Sequence, residues 1–288
     1  MKINETCEAC LLKKHLNRCP ENTPEKIAES YKAEILGTVE QNKDLSAPEV
    51  VVEIDKIYWR YFKQKEDYTE EKKHFNSLML MLEDYMTKVA EESENPLLCA
   101  IQYAMTGNFI DFGAMKEVDE NRLKQFISDS YKTKVDEATL KALKNEIKSA
   151  KRMVYFTDNC GEIVTDKVLI KVMKKINPDM HVTAIVRGEP VFNDATMEDA
   201  IQVGLDSVAD EVFGNGSCVA GTVLSKVSKE TLDATHKADF IIAKGQGNYE
   251  SLGDCGLNVY YIFMCKCSRF VDKFGVPLYS GVITRELK

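Results

Sequence analysis

Apolar residues in the first half of this chain recur about every three to four positions, and this helical spacing changes near residue 150. Helix starts are marked by Thr23-Pro24 and by Ser46-Ala47-Pro48, and Pro96 begins a segment that stops at Gly107. The spacing predicts helices at 24–36, 46–61, 69–92, 96–107, 119–131 and 136–149. We therefore predict that residues 1–150 form an N-terminal helical subdomain.

Beyond residue 151, short runs rich in β-branched and aromatic residues alternate with helical stretches. The predicted strands are 153–157, 181–186, 211–213, 239–243 and 259–264, and the predicted helices are 162–176, 196–204, 228–237 and 267–274. Such alternation is typical of βαβ units and a parallel sheet. We predict that residues 151–288 form an α/β domain with a doubly wound, mostly parallel sheet, an α/β/α sandwich joined to the helical subdomain.

Composition narrows the classes of function. The 288-residue chain has a formal charge of −8 and a pI near 5.3, which disfavours a dedicated nucleic-acid-binding protein. No run reaches the roughly 20 apolar residues of a membrane span, and the N-terminus lacks the apolar core of a signal peptide. Nine cysteines without such a signal indicate reduced thiols and a cytoplasmic location. The oligomeric state is left open.

Polar side chains follow the first two predicted strands. Asp158-Asn159-Cys160-Gly161-Glu162 comes directly after the first, and Asn193-Asp194 lies in the connection that leaves the second. The carboxyl ends of parallel strands meet in one crevice, where two carboxylates and an amide would form an oxygen-rich site for a divalent cation. The same residues also cap helices and form turns, so a purely structural role is the alternative.

A lysine and two glycines follow the fourth predicted strand, in Lys244-Gly245-Gln246-Gly247-Asn248. A lysine directly after a buried strand must reach solvent or an anion, and glycines let backbone N–H groups approach a ligand closely. The segment is neither a phosphate-binding P-loop nor a dinucleotide fingerprint. With the oxygen ligands it suggests metal-assisted chemistry on a phosphate; a glycine-rich turn with a lysine reaching solvent is the alternative.

The cysteines are less informative. Cys7 and Cys10, followed by His15 and Cys19, superficially resemble a zinc knuckle, but the intervening segment 11–16 is predicted to be helical. Cys265 and Cys267 lie at a strand end. We predict structural or incidental thiols in both places, with a second metal or a redox pair as the lesser alternative.

Taken in order, these segments resemble the damage-control phosphatases, the ARMT-like metal-dependent phosphatases first described as a domain of unknown function. The resemblance rests on segments 158–167, 187–200, 216–222 and 238–252, together with 107–113 in the helical part. The chain length and Cys7-x-x-Cys10 are most similar to the compact microbial branch. The segment before Gly221 often has proline in this family where Ala220 stands here.

The resemblance implies a divalent metal held by Asp158, Asn159 and Asp194, and a substrate phosphate bound by Lys244. Oxygen ligands favour Mg²⁺ or Mn²⁺, and the resemblance also allows Co²⁺ or Ni²⁺. We assign catalytic roles to Asp158 and Lys244, while the general base is not assigned. The remaining predicted substrate and phosphate contacts are Gly245, Gly247, Asn248, Glu162, Arg187, Asn193, Asn108 and Asp111.

The predicted function is hydrolysis of small phosphorylated metabolites, either sugar phosphates or damaged phosphometabolites, by metal-assisted attack of water. One alternative is a carboxyl methyltransferase that uses S-adenosylmethionine, a role also proposed within the family. The other is a phosphometabolite-binding protein without catalytic activity. No nucleic-acid or membrane partner is expected.

Overall fold

The centre of the molecule is a six-stranded sheet, seen in a computed structural model that describes residues 1–107, 125 and 127–287. The strands are β1 Arg152–Phe156, β2 His181–Val186, β3 Glu211–Gly214, β4 Phe240–Lys244, β5 Val259–Met264 and β6 Gly281–Glu286. Their spatial order is β3-β2-β1-β4-β5-β6. The first five are parallel, and β6 pairs antiparallel with β5. The strand order reverses between β1 and β4, so ligands are expected beyond the carboxyl ends of these strands.

Helices cover the sheet and extend from it. They are α1 Glu5–Leu16, α2 Glu25–Gln41, α3 Ala47–Phe62, α4 Thr69–Leu80, α5 Glu83–Glu92, α6 Pro96–Gly107, α7 Glu137–Ser149, α8 Glu162–Ile176, α9 Met197–Val203, α10 Lys229–Lys237, α11 Gly245–Leu252 and α12 Ser268–Phe274. The predicted α/β class with a mostly parallel sheet is confirmed. None of the helices within the described ranges has the length and apolar composition needed to cross a membrane.

Alternate residues of the strands enter two different apolar clusters, one on each face of the sheet. In β1, Tyr155 belongs to the cluster shared with α4, α5, α6 and α8, whereas Phe156 belongs to the cluster shared with α11 and α12. This alternation follows from the period of two in a strand. A third cluster, which includes Tyr31 and Ile54, is formed by α1, α2 and α3.

Several elements differ from the sequence prediction. The helix predicted over 69–92 is two helices, because the chain turns at Met81 and Leu82 and thereby buries Leu82 while Met81 stays exposed. The glycine-containing segment after β4 is not a loop but the first turn of α11. Strand β6 was not predicted. Most of the predicted helix 119–131 lies outside the described residues, and Asp129–Lys132 forms a 3₁₀ turn.

Candidate metal and phosphate site

Two backbone segments pair beyond the ends of β1 and β2. The Cys160 N–H donates to the Asn193 carbonyl at 2.9 Å, and the Ala195 N–H donates to the Asp158 carbonyl at 2.7 Å. These bonds form an isolated antiparallel bridge between Asn159 and Asp194. The bridge brings together the three residues predicted to bind metal, although they lie on separate connections of the sheet.

Arg187 contacts both carboxylates of this group. It follows β2 directly, and its side chain is almost completely buried. Its Nε donates to Asp194 Oδ2 at 2.6 Å, and its Nη2 lies 3.3 Å from Asp158 Oδ1. Its Nη1 donates to the Gly221 carbonyl and to Asn248 Oδ1, each at 3.1 Å. Arg187 therefore orients one oxygen of each carboxylate in this structure.

The amide of Asn159 is oriented by its neighbours. Its Nδ2 donates to Asp158 Oδ2 at 2.7 Å and to Glu162 Oε2 at 3.0 Å, which uses both amide hydrogens. Nothing in the described part of the chain donates a hydrogen bond to Asn159 Oδ1 or to Asp194 Oδ1. Both oxygens can therefore serve as ligand atoms for a cation.

Among the described residues, carboxylates outnumber cations at the site. Burial raises the pKa of Asp158, and the nearby charges of Asp194 and Glu162 raise it further. Burial also raises the pKa of Asp194, although Arg187 acts in the opposite direction. Within the described ranges, the hydrogen-bonded network includes four carboxylates, Asp158, Glu162, Asp166 and Asp194, and two cations, Arg187 and Lys244. The oxygen donors of the site suit a hard divalent cation.

The donor set differs from the usual protein metal clusters. Within the described ranges, no group of three or more His, Cys, Asp and Glu side chains is arranged to hold a metal ion. The candidate site has two carboxylates, and its third donor is the carboxamide of Asn159.

Lys244, the last residue of β4, is completely buried. Its Nζ donates to Glu162 Oε1 at 2.5 Å, to Asp166 Oδ1 at 2.6 Å and to the Ala104 carbonyl at 3.0 Å. Burial alone would lower the pKa of Lys244, but the attraction of Asp166 and Glu162 outweighs it and raises the pKa. An ammonium group has three hydrogens, so Lys244 must exchange one of these partners before it contacts a phosphate.

Asp166 is a member of the site that the sequence analysis did not single out. It accepts a hydrogen bond from the Tyr155 hydroxyl at 2.8 Å as well as the one from Lys244. Its Oδ2 is buried and has no hydrogen-bond partner among the described residues. The signal was present in the sequence, because Glu162 and Asp166 are four residues apart and therefore share one face of α8.

The two glycines of the Lys244 segment allow close approach of neighbouring groups. Gly245 has a φ of +78°, and a Cβ built on it would lie 1.9 Å from Asp158 Oδ2. A Cβ on Gly247 would lie 2.2 Å from the Ala220 carbonyl oxygen. Both glycines are therefore needed to pack α11 against the connections that form the site.

Asn248 joins several of these connections. Its Nδ2 donates to the Thr157 and Lys244 carbonyls, and its Oδ1 accepts from Thr222 and Arg187. The structure thus places Asn248 inside the framework of the site.

Asn193 contributes its backbone carbonyl to the bridge, where it accepts from the Cys160 N–H. Two further predicted contacts, Asn108 and Asp111, lie outside the described residues.

Two open cavities flank the connection that carries Asp194. Their volumes are about 510 and 400 Å³, and both are lined by Glu66, Tyr68, Pro190 and Phe192. Neither is lined by Asp158, Glu162, Asp166, Asp194 or Lys244. These two open spaces therefore lie beside the charged cluster and do not coincide with it. We place the candidate chemistry at the cluster, because its charges and oxygen donors are there.

The N-terminal cysteines lie on a regular helix. Cys7 and Cys10 belong to α1, which confirms the predicted helix through residues 11–16. Arg269 Nη1 donates to Cys7 Sγ at 3.0 Å, and Cys265 is buried. The assignment of these thiols to structural or incidental roles stays a prediction.

Comparison with known proteins identifies relatives across nearly the whole chain. A family model described as the damage-control phosphatase ARMT1-like domain matches residues 3–282. An uncharacterized protein of Methanocaldococcus jannaschii is 31% identical over 301 residues, covering 99% of this chain and 96% of that protein. A damage-control phosphatase of Pyrococcus horikoshii is 33% identical over 219 residues, covering 73% of this chain and 74% of that protein.

The fold is similar to that of a solved structure. A crystal structure of a DUF89 family protein from Pyrococcus horikoshii superposes with a TM-score of 0.81 at 24% sequence identity. The superposition covers 99% of both chains. At this identity the similarity supports the overall fold.

Proposed function

The chain belongs to the damage-control phosphatase ARMT1-like family, and we propose from this premise that it is a metal-dependent phosphomonoesterase acting on small phosphorylated metabolites. The observation that carries the proposal is the bridge between Asn159 and Asp194, which assembles two carboxylates and an oriented amide beside Arg187. The name of the Pyrococcus relative supports the phosphatase role, whereas the substrate and the metal dependence are proposals for this chain.

In this proposal Asp158, Asn159 and Asp194 hold a divalent cation, which could be Mg²⁺, Mn²⁺, Co²⁺ or Ni²⁺. Such a cation supplies a Lewis acid that offsets phosphoryl charge and lowers the pKa of water. Arg187 fixes the carboxylates through the Oδ atoms that it contacts. Glu162 holds the Asn159 amide through Nδ2, so that the amide oxygen is the atom presented to the cation.

The phosphate is proposed to lie near the N-terminus of α11. First-turn N–H groups of a helix have no acceptor within the helix, and the positive end of its dipole favours an anion. Gly245 and Gly247 lie in this turn, directly after Lys244. Lys244 contacts the phosphate directly if the phosphate displaces one of its three acceptors. With or without that contact, its positive charge stabilises the bound phosphate.

Phosphate release from a panel of sugar phosphates, nucleotides and cofactor intermediates tests the function. We expect metal-stripped protein to be inactive and to recover activity with one of the four cations. Asp158→Asn, Asn159→Ala and Asp194→Asn should each lower kcat/KM on the order of a hundredfold or more, as losses of preorganised charge do. The exposed Asp206→Asn is the matched control and should behave as wild type.

Activity that persists after exhaustive chelation would contradict the metal-dependent mechanism. Formation of a methyl ester with S-adenosylmethionine, in protein that releases no phosphate, would favour the methyltransferase alternative.

A further inference from the structure

Asn76 of α4 reaches the candidate metal site from the helical part of the chain. Its side chain is completely buried. Its Oδ1 accepts from the Gly161 N–H at 2.6 Å, and its Nδ2 donates to Asp199 Oδ1 and Gln202 Oε1, each at 2.9 Å. One amide thereby joins the connection after β1 to the first turn of α9.

Each partner of Asn76 is close to a predicted metal ligand. Gly161 is two residues after Asn159 and has a φ of +69°, so its peptide plane fixes how the chain enters α8. Asp199 Oδ2 accepts from the N–H of Thr196 at 2.7 Å and from its hydroxyl at 2.8 Å. Thr196 in turn is two residues after Asp194.

A buried ion pair holds Asp199 in this position. Lys72, one turn before Asn76 on α4, places its Nζ 2.7 Å from Asp199 Oδ2, and both side chains are buried. The charged pair is far less hydrated than an exposed one, so its geometry depends strongly on the neighbouring hydrogen bonds. Asn76 supplies one of those bonds.

We infer that Asn76 is a positioning residue for the metal site, setting the relative position of the Asp158–Asn159 and Asp194 connections from outside the α/β part. This rests on the proposed function, because it treats Asp158, Asn159 and Asp194 as the ligands. Partners of this kind, one step removed from a metal, commonly change metal affinity by about 10- to 100-fold when they are removed.

The first test measures binding of Mn²⁺ alone by calorimetry, with Asn76→Ala compared with wild type. We expect the dissociation constant to rise at least about tenfold. The matched control is Gln202→Ala, which removes the other acceptor of the same amide but leaves the bonds to Gly161 and Asp199 intact. Its dissociation constant should stay within about twofold of wild type, well below the 10-fold threshold.

Swapping the amide of Asn76 and the carboxylate of Asp199 separates a positioning role from a general effect on stability. Asn76→Asp keeps an acceptor for Gly161 but places a carboxylate against Asp199, so Mn²⁺ should bind weakly. Combining Asn76→Asp with Asp199→Asn places an amide donor at residue 199 opposite the carboxylate acceptor at residue 76. The net charge of wild type is kept, so the affinity for Mn²⁺ should return. Wild-type affinity in a folded Asn76→Asp or Asn76→Ala variant would overturn the inference.

Amide hydrogen exchange tests the role of Asn76 without any metal. The Gly161 N–H should exchange at least about tenfold faster in Asn76→Ala, because its acceptor is removed, and should be unchanged in Gln202→Ala. Unchanged exchange at Gly161 would overturn the role of Asn76. Wild-type protein that binds none of the four cations would instead contradict the proposed function, while the exchange result still decides whether Asn76 fixes this connection.

Discussion

At the scale of single residues, the candidate site consists of charged groups that the fold has removed from water. Asp158 and Asp194 share Arg187, while Glu162 and Asp166 share Lys244. Glu162 also binds Asn159, which links the two groups. A change in one charge is therefore expected to affect its neighbours, and single substitutions will report on both stability and chemistry.

Gly245 provides a test of close packing at the site. Gly245→Ala should destabilise the protein and abolish metal binding, because the added methyl group overlaps the Asp158 carboxylate and the positive φ strains alanine. The matched control is Gly37→Ala in α2, where a Cβ meets nothing within 4 Å. That change should raise the free energy of unfolding by about 0.5–1 kcal/mol. Urea unfolding and Mn²⁺ calorimetry measure both effects, and tight Mn²⁺ binding by Gly245→Ala would contradict the described packing.

Lys244→Met tests the buried ion pairs. It should lower the free energy of unfolding by roughly 3–5 kcal/mol, because Glu162 and Asp166 lose their shared counter-charge in a buried position. Adding Asp166→Asn should recover part of that loss. The exposed Lys56→Met removes a pair with Glu53 and should change stability by less than about 0.5 kcal/mol.

The same double variant addresses the predicted phosphate contact of Lys244. If Lys244 binds phosphate, Lys244→Met with Asp166→Asn should regain part of the lost stability and remain inactive. Lys244→Arg should also fail to restore full activity, since a planar guanidinium does not replace a compact ammonium. Recovery of kcat/KM together with stability would assign Lys244 to structure.

At the scale of elements, the prediction succeeded where a local pattern decides the structure. Helix α8 and strands β2 and β5 have the predicted bounds, because long apolar runs and helical spacing are preserved within them. Helix α11 was missed because two glycines in its first turn are typical of a loop. The break between α4 and α5 was missed because packing of Leu82, a tertiary contact, determines it.

The site was predictable to the extent that strand ends determine it. The rule that ligands bind beyond the carboxyl ends of parallel strands groups Asp158, Asn159 and Asp194, as the structure does. It gives no information on Asn76, whose partners are 85 and 123 residues away in sequence. Nor does it indicate that the acceptors of Lys244 come from α6 and α8.

Helix α1 gives a pH-dependent prediction. His15 is completely buried near its end, and burial, reinforced by Arg18 and Lys14, lowers the pKa of His15 to about 4 from 6.5. Between pH 4 and pH 6.5, His15 therefore binds a proton in the unfolded state but not in the folded state. The free energy of unfolding should therefore fall as the pH is lowered from 6.5 to 4, by up to about 3 kcal/mol from this group, with no contribution to the slope above 6.5.

Urea unfolding of wild type and His15→Asn across this pH range checks the effect, since carboxylates that titrate in both proteins cancel in the difference. Asparagine keeps an acceptor for the Arg18 guanidinium, which lies 3.2 Å from His15 Nδ1. Parallel profiles for the two proteins would show that His15 is protonated equally in the folded and unfolded states.

At the scale of the whole molecule, the helical part and the sheet share a hydrophobic core. Helix α8 is buried along most of its length, and the apolar cluster around it includes Met79, Leu97 and Ile101 from the N-terminal part. By contrast, the cluster of α1, α2 and α3 is a separate one. The predicted division at residue 150 therefore falls between segments that contribute to one core.

Two truncations distinguish a shared core from an independent α/β domain. Residues 151–288 alone should not fold cooperatively, because removal of α4, α5 and α6 exposes α8 to water. Residues 64–288 keep these helices and should retain a cooperative unfolding transition, with reduced stability because α3 no longer packs near α11 and the Lys226–Glu49 ion pair is lost. Circular dichroism and urea unfolding measure both fragments. A cooperative transition in 151–288 would establish that the sheet and its own helices form an autonomous domain, and that the helical part is not needed for the fold.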